Sequence, residues 1–205
     1  MDATLTWSDT QITETMQGYA EQHLPFKWCV GPPTRPVDMA ERLGALGFEE
    51  TRLRGMSLGT QTDVTAPDVQ LKHVGPQDAQ LFIETGLENW GPAANNPRVI
   101  AEFSHDMGRA DRMFFIVYWQ GEPAGTAAVI LCPEVAYLIG AQVVPRFQGK
   151  GLYRALLRAR LEAVRAVRPV AVIQALESTS APILDRLGFE SLFAVSLFES
   201  PTAAG

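Results

Sequence analysis

Val143-Val-Pro-Arg-Phe-Gln-Gly-Lys-Gly-Leu-Tyr-Arg-Ala-Leu-Leu157 is the stretch whose reading decides the fold of this chain. A strand ends at Pro145, two glycines fill the turn, and a long helix begins at once. Glycines at such a turn let the backbone come close to a ligand. The N–H groups of the first helical turn then face an anion with a favourable dipole. Lys150 and Arg154 add positive charge at the same mouth. The residues therefore describe a phosphate or pyrophosphate cradle, or else a tight turn with nothing bound. The loop is not a Walker A motif, because the G-x-x-x-x-G-K-[ST] spacing is absent. It is not G-x-G-x-x-G either, since Arg154 stands where the third glycine would be.

Outward from this loop the chain alternates strands and helices. On its N-terminal side, Val69–Val74 reads as a strand and Gln77–Asn89 and Pro97–Met107 as helices. Met113–Trp119 and Ala124–Leu131 form a hairpin about Gln120-Gly121-Glu122-Pro123, and Val135–Val144 is the next strand. The helix that opens at Gly151 is expected to run to Val167, stopped by Pro169. Val170–Leu176 is a buried strand, Ala181–Leu187 a short helix and Leu192–Phe198 a last strand. Antiparallel strands come early and a strand-helix-strand crossover late, which predicts a mixed α/β (α+β) architecture. Gly140 in mid-strand marks either a bulge or a packing gap.

Composition excludes several classes. The chain has 205 residues, 46% apolar and 20% charged, which suits an ordinary globular protein with a sizeable core. Twenty-three acids against seventeen bases leave a net charge of −6, which argues against a general nucleic-acid binder. The longest apolar run, Met113–Trp119, is far short of the ~20 residues of a spanning helix. Met1-Asp2-Ala3-Thr4 lacks the basic start of a secretory leader. Cys29 and Cys132 have no partner at metal-ligand spacing, so no metal site is expected, and nothing supports a disulfide between them. The expected setting is cytoplasmic, with no nucleic acid and no membrane as partner.

The pattern V-x-P-x-x-[QR]-G-x-G followed by a helix with A-L-L resembles the acyl-CoA signature of the GNAT superfamily of N-acetyltransferases. Val143, Pro145, Gln148, Gly149, Gly151 and Leu156-Leu157 carry the match. Ser180-Ala-Pro-Ile-Leu-Asp-Arg-Leu-Gly-Phe189 is similar to the same family's penultimate helix and closing Gly-Phe. The resemblance implies a GNAT fold: a mixed central sheet flanked by helices, its strands Val135–Val144 and Val170–Leu176 splayed to receive a pantetheine arm. It implies acetyl-CoA as cosubstrate, held by the amides of Val143 and Val144 along the pantetheine. Gln148, Gly149, Lys150, Gly151, Leu152, Tyr153 and Arg154 would meet the pyrophosphate, and Ser180 would join the same site. Two positions depart from the family. Tyr153 replaces a small residue and either covers or donates to the pyrophosphate site, or packs outward. Leu184 stands where many members carry the tyrosine that protonates the departing thiolate.

Acetyl transfer to an amine needs that amine neutral. At neutral pH roughly one alkylammonium in a thousand is free amine, given a pKa of ~10.4. A base, or a water chain leading to one, gains up to about 4 kcal/mol by removing that limit. Candidates are Glu102, His105, Glu134 and Glu177, with Tyr137 as a proton relay; Glu177 and Tyr137 are the pair favoured for catalysis. A backbone N–H of the Val135–Val144 strand would hold the oxyanion. His23 and His73 have no sequence partners, and Trp28, Trp90 and Trp119 read as core anchors. Arg158 and Arg165 read as a solvated helix face with Glu162 at i,i+4.

Ahead of the polar segment Thr60–Asp68, read as a linker, lie a helix from Asp9 to His23, a strand Phe26–Val30, a helix Val37–Leu46 and a strand Glu49–Leu58. Asp38-Met-Ala-Glu-Arg-Leu-Gly-Ala-Leu-Gly-Phe48 echoes Thr179–Phe189 at a constant offset of 141. The echo is either common αβ grammar or a partial duplication. On the second reading residues 1–62 are a degenerate partial GNAT repeat, expected to bury Met39, Leu43, Leu46 and Phe48, and 63–205 the acetyltransferase domain. The protein would then be a monomeric pseudo-dimer or a homodimer. The expected activity is acetyl transfer from acetyl-CoA to a primary amine of a small acceptor; the alternative is a non-catalytic acyl-CoA-binding module.

Overall fold

A computed structural model describes residues 7–21, 26–91 and 95–200. His23 and the start of the chain lie outside the described residues, as does the side chain of Trp90. Two compact units divide the chain: Met1–Met56 with Gln174–Gly205, and Ser57–Ile173.

The first unit contains α1 (Asp9–Glu21), β1 (Lys27–Val30), α2 (Met39–Ala45), most of β2 (Glu49–Gly59), the end of β7 (Val170–Leu176), α6 (Ser180–Asp185) and β8 (Glu190–Glu199). Its strands run in the order β1-β8-β2, with the end of β7 beyond β2. β1 is antiparallel to β8, Lys27 facing Glu199 and Val30 facing Ser196. The Glu177 N–H donates to the Arg52 carbonyl at 3.1 Å, tying β7 to β2. The core holds Ile12, Trp28, Met39, Leu43, Phe48 and Phe198, with Trp7 edge-on to Trp28. Leu46 is the exception to the expected stripe, at 46% exposed. It is the C-cap of α2, where the chain leaves the helix and turns its side chain off the apolar face.

The second unit carries β3 (Leu71–Val74), α3 (Ala79–Trp90), α4 (Pro97–Met107), β4 (Arg112–Trp119), β5 (Glu122–Leu131), β6 (Val135–Val143), α5 (Leu152–Val164) and the start of β7. Its strand order is β7-β6-β5-β4-β3, parallel at β6–β7 and antiparallel elsewhere. β6 pairs with β7 over Val135–Leu138 and Val170–Ile173. A cluster of Phe82, Met107, Phe114, Ile116 and Ala128 packs α3 and α4 on the sheet. α5 buries Leu152, Ala155, Leu156, Leu157, Leu161 and Val164, the i, i+3, i+4 stripe its sequence shows.

Element ends follow local chemistry. α4 begins where expected because the Asn96 side chain accepts from the N–H groups of Arg98 and Val99 and Pro97 takes the first helical position. The helix expected from Gln77 opens instead with a 3-10 turn, Pro76–Asp78, whose Asp78 carboxylate accepts from the Gly75 N–H. α5 ends at Val164, three residues early, and the Val167 and Arg168 amides close a turn on the Val164 carbonyl ahead of Pro169.

Candidate acyl-CoA site

β6 leads into the decisive loop through a bulge. Thr126 faces Gln142 and Ala128 faces Ile139, so β6 carries one residue more than β5 across this step. Gly140 sits there at φ +63°, the conformation that favours glycine, which settles it as a bulge rather than a packing gap. The Val144 N–H donates to the Ala124 carbonyl at 2.9 Å. Val143, facing Gly125, therefore belongs to a non-hydrogen-bonded pair, and its own N–H and carbonyl turn away from β5. Of the two amides expected along a pantetheine arm, Val143 has its donor directed outward, whereas Val144 is engaged within the sheet.

A 3-10 turn, Pro145–Phe147, then lowers the chain into Gln148-Gly149-Lys150-Gly151. Gly149 and Gly151 both lie at φ +77°, and a Cβ on Gly149 would meet no atom within 4 Å. α5 starts at Leu152 with Gly151 as its N-cap and no capping side chain. Its first N–H groups are therefore left for an external acceptor. Gln148, Lys150 and Arg154 are exposed around this mouth. Lys150 Nζ rests 5.1 Å from the centre of the Trp119 ring, so Trp119 steadies the loop rather than filling a core. Arg146 is drawn off to Glu88 at 2.6 Å.

The segment Thr60–Asp68 has no regular secondary structure, yet it is fastened along its length. The Thr60 N–H and hydroxyl donate to the carbonyls of Pro169 and Arg168 at 3.0 and 2.6 Å. Arg158 donates to the carbonyls of Ala66 and Pro67 at 3.2 and 3.4 Å, and Val64 is buried. A Cβ on Gly151 would stand 2.9 Å from Pro67 Cδ. The expected i,i+4 pair is present, Arg158 to Glu162 at 3.8 Å, but the solvated face is corrected: Arg158 also clamps a strap against the loop, and Arg165 reaches Asp63 at 3.8 Å. Pro67 and Arg158 carry no local motif, because the guanidinium and the carbonyl it meets lie about ninety residues apart.

The Tyr153 phenol interacts with Arg160, which stands two turns further along α5. Arg160 is fully buried. Its Nε donates to the Leu156 carbonyl at 3.2 Å, and Nη1 and Nη2 have no acceptor in good hydrogen-bonding geometry among the described residues. Burial, opposed by the adjacent Tyr153 phenol, pulls this guanidinium down to about 10, and burial raises the phenol in turn.

The candidate catalytic side chains fall in both units. In the second, Tyr137 shares the face of β6 with Ile139, opposite Ile130 and Val172. Glu134 is exposed in a turn, Glu102 pairs with Arg98 at 3.1 Å, and His105 is exposed on the same helix. In the first, Glu177 is exposed just beyond β7 and Ser180 opens α6. Leu184 is 0% exposed, held in the core of its unit. Among the described residues no group of three His, Cys, Asp or Glu could hold a metal, both cysteines are free, and no helix is long and apolar enough to cross a membrane.

Several solved structures share this architecture. A functionally unknown conserved protein from Staphylococcus epidermidis aligns with a TM-score of 0.71 at 14% identity, over 95% of this chain and 82% of its own. A GCN5-related N-acetyltransferase from Kribbella flavida gives 0.59 at 16% identity, over 97% and 78%. A tandem GNAT protein from the clavulanic acid biosynthesis pathway gives 0.62 at 16% identity, over 96% and 70%. At such identities the likeness is one of fold. No curated protein matches the sequence. The sequence profile of the acetyltransferase (GNAT) family, however, matches residues 80–189, more than half of the chain and the whole of the decisive loop. With its mixed sheet, its bulged strand and its glycine loop at a helix start, this chain belongs to the GNAT acetyltransferase family.

Proposed function

We propose that the protein moves an acetyl group from acetyl-CoA to a primary amine of a small acceptor. The observation that carries this reading is the loop itself: two left-handed glycines open onto an uncapped helix start, with Lys150 and Arg154 exposed beside it. These residues fit a pyrophosphate, because open space at the Cβ position of Gly149 admits close approach of an anion to the backbone. The amides of Gly149 to Arg154 would hold the phosphates and Val143 the pantetheine, with Gln148 and Ser180 at the margins. Bound acetyl-CoA supplies the acyl group as an activated thioester.

The chain's own task is positioning and proton handling. The bulge at Gly140 takes backbone groups of β6 out of the ladder with β5, and an N–H freed there would face a developing oxyanion. Tyr137, on the face of Ile139, would pass the amine's proton toward solvent, and Glu177 is the candidate base of the first unit. Leu184 cannot donate a proton, so the thiolate would leave without a dedicated acid. That same residue favours the second reading, a non-catalytic acyl-CoA-binding module. On either reading residues 1–62 would be a partial repeat of the fold and 63–205 the acyl-CoA domain.

Two measurements separate the readings. Acetyl-CoA should raise the melting temperature, and Lys150→Ala with Arg154→Ala should remove most of that rise. Wild-type protein should also release CoA with some amine above the hydrolysis background, faster as pH rises and the amine deprotonates. An unchanged melting temperature overturns both readings. A shift without turnover over a broad amine panel leaves the binding module.

A further inference from the structure

A cavity of about 260 Å³ lies in the second unit, between α3, α4 and the strands β4, β5 and β6. Its wall is a set of three phenylalanines. Phe82 lies 5.7 Å from Phe103 and 5.4 Å edge-on to Phe114, and Phe103 lies 6.3 Å from Phe114. Such a set fixes its own geometry, each ring buttressing the next. The floor is Ala128 of β5, where a small side chain leaves room above the sheet. At one end the cavity reaches Ile139 and Gly140 of β6. Gly140 has nothing within 4 Å of its Cβ position, and Ile139 remains 39% exposed at the lip. Bulge and cavity therefore meet at the same two residues.

Charge narrows the occupant. Among the described residues, the ionisable side chains lining the cavity are Asp106 and Arg112, and they are joined at 3.0 Å. Each neutralises the other, so the wall offers no spare carboxylate to a second ammonium. A polyamine or an amino sugar would bring charges that stay unpaired among phenylalanines, which burial without a partner strongly disfavours. A body without charge loses nothing by entering and gains from leaving water. Size narrows it further. A dry cavity of about 150 Å³ accommodates benzene, so this one has room for a single ring on a short arm.

We propose that this cavity takes the body of an apolar monoamine, a single ring or a branched chain of like size, and presents its primary amine at Gly140. The assignment rests on the acetyl-transfer reading for its chemistry and on the cavity alone for its specificity. The amine reaches the acyl carbon as the neutral base, forms the amide bond as the thioester C–S bond breaks, and loses its proton toward Tyr137 and solvent while the thiolate departs. Asp106 and Arg112 close the far end as a neutral pair and take no part in the transfer.

The test is an initial-rate comparison of 2-phenylethylamine, 3-methylbutylamine, methylamine and spermidine, with acetyl-CoA and full-length protein. The two apolar amines should exceed spermidine in kcat/KM at least 100-fold. Ala128→Leu, which fills the floor, should lower the preference for 2-phenylethylamine over methylamine at least tenfold, chiefly through KM. Ile139→Ser, at the half-exposed lip, should move it the same way and serves if the first variant does not fold. Spermidine as the better acceptor, or a preference unmoved in the folded variants, overturns the assignment while leaving acetyl transfer intact. If no amine is acetylated, calorimetric titration of 2-phenylethylamine in the presence of CoA decides it. Binding that weakens tenfold in Ala128→Leu sustains the cavity and rejects the transfer reading. No binding rejects the cavity.

Discussion

α2 and α6 close with the same turn, although 141 residues separate them. The Leu43 carbonyl accepts from the amides of Leu46 and Phe48 at 3.2 and 3.1 Å, and the Leu184 carbonyl from those of Leu187 and Phe189 at 2.9 and 3.1 Å. Gly47 and Gly188 make the turn at φ +85° and +88°. Leu43 and Leu184 are both 0% exposed, and Phe48 and Phe189 are 6% and 4% exposed. The strand order extends the likeness. β8, which follows α6, lies beside β1, and β2, which follows α2, lies beside the end of β7. Each segment thus lends its last strand to the first strand of the other. What differs is what comes before: a 13-residue helix stands ahead of each, α1 and α5, but only α5 opens on a glycine loop. The comparison teaches that Leu184 has a packing role of its own. It does what Leu43 does, anchoring a helix whose closing turn needs a buried leucine.

The harshest way to break this comparison is to remove one side of it. Deleting residues 1–60 strips β1 and β2 from the first unit and leaves β8 and the end of β7 without neighbours. The remainder should be insoluble or lose its cooperative transition, judged by gel filtration and thermal melting. A soluble fragment melting at the full-length temperature would show the two segments to be independent.

Substitution at matched positions sharpens it. Phe48→Ala and Phe189→Ala should each cost about 3–5 kcal/mol, and Leu43→Ala and Leu184→Ala about 2–5 kcal/mol, in urea unfolding. Matched members of each pair should agree within about 1 kcal/mol. Leu184→Ala should leave the alkaline limb of any pH–rate profile in place, because leucine carries no proton to lose. A vanished ionisation would restore a catalytic role to that position.

α5, the helix that opens on the glycine loop, has its own signature. The folded chain holds Arg160 at about 10, below the ordinary value above 12 that the unfolded chain retains. Between those values the unfolded state binds more protons, so stability should rise as pH climbs through that window. At neutral pH the charged form is a net burden. Arg160→Met should therefore stabilise by about 1–3 kcal/mol, or several degrees in melting temperature. A loss of stability would mean that the guanidinium is better satisfied than its neighbours indicate. The gentlest comparison is Gly47→Ala against Gly188→Ala, each expected to cost about 1–2 kcal/mol for placing a Cβ at positive φ. Unequal costs would show that the two turns are held by different surroundings.

Much of the fold was legible because its signals are local. Asn96-Pro97 announces α4, Pro169 and the apolar run after it announce β7, and the Gln-Gly-Lys-Gly loop is read from consecutive residues. Gly140 as a bulge was one of two readings, and the observed register chose between them. The cavity was not legible, since Phe82, Phe103 and Phe114 come from three elements and read singly as core. Nor was the fate of Tyr153, whose two readings differ only in which way a ring turns. Leu46 failed because a helical stripe continues in sequence past the point where the helix itself has stopped.

Pro67 against Gly151 turns a length into a specified quantity. The strap is fixed at Thr60 by hydrogen bonds to Arg168 and Pro169, and at Ala66 and Pro67 by Arg158. The chain between them acts as a ruler, and its graduation mark falls on the anion loop. By composition this is the stretch where insertions would be most readily accepted, since lengthening a free loop costs little. Fastened at both ends, it loses that tolerance: one residue more or fewer would carry Pro67 off Gly151 and unseat a wall of the glycine loop.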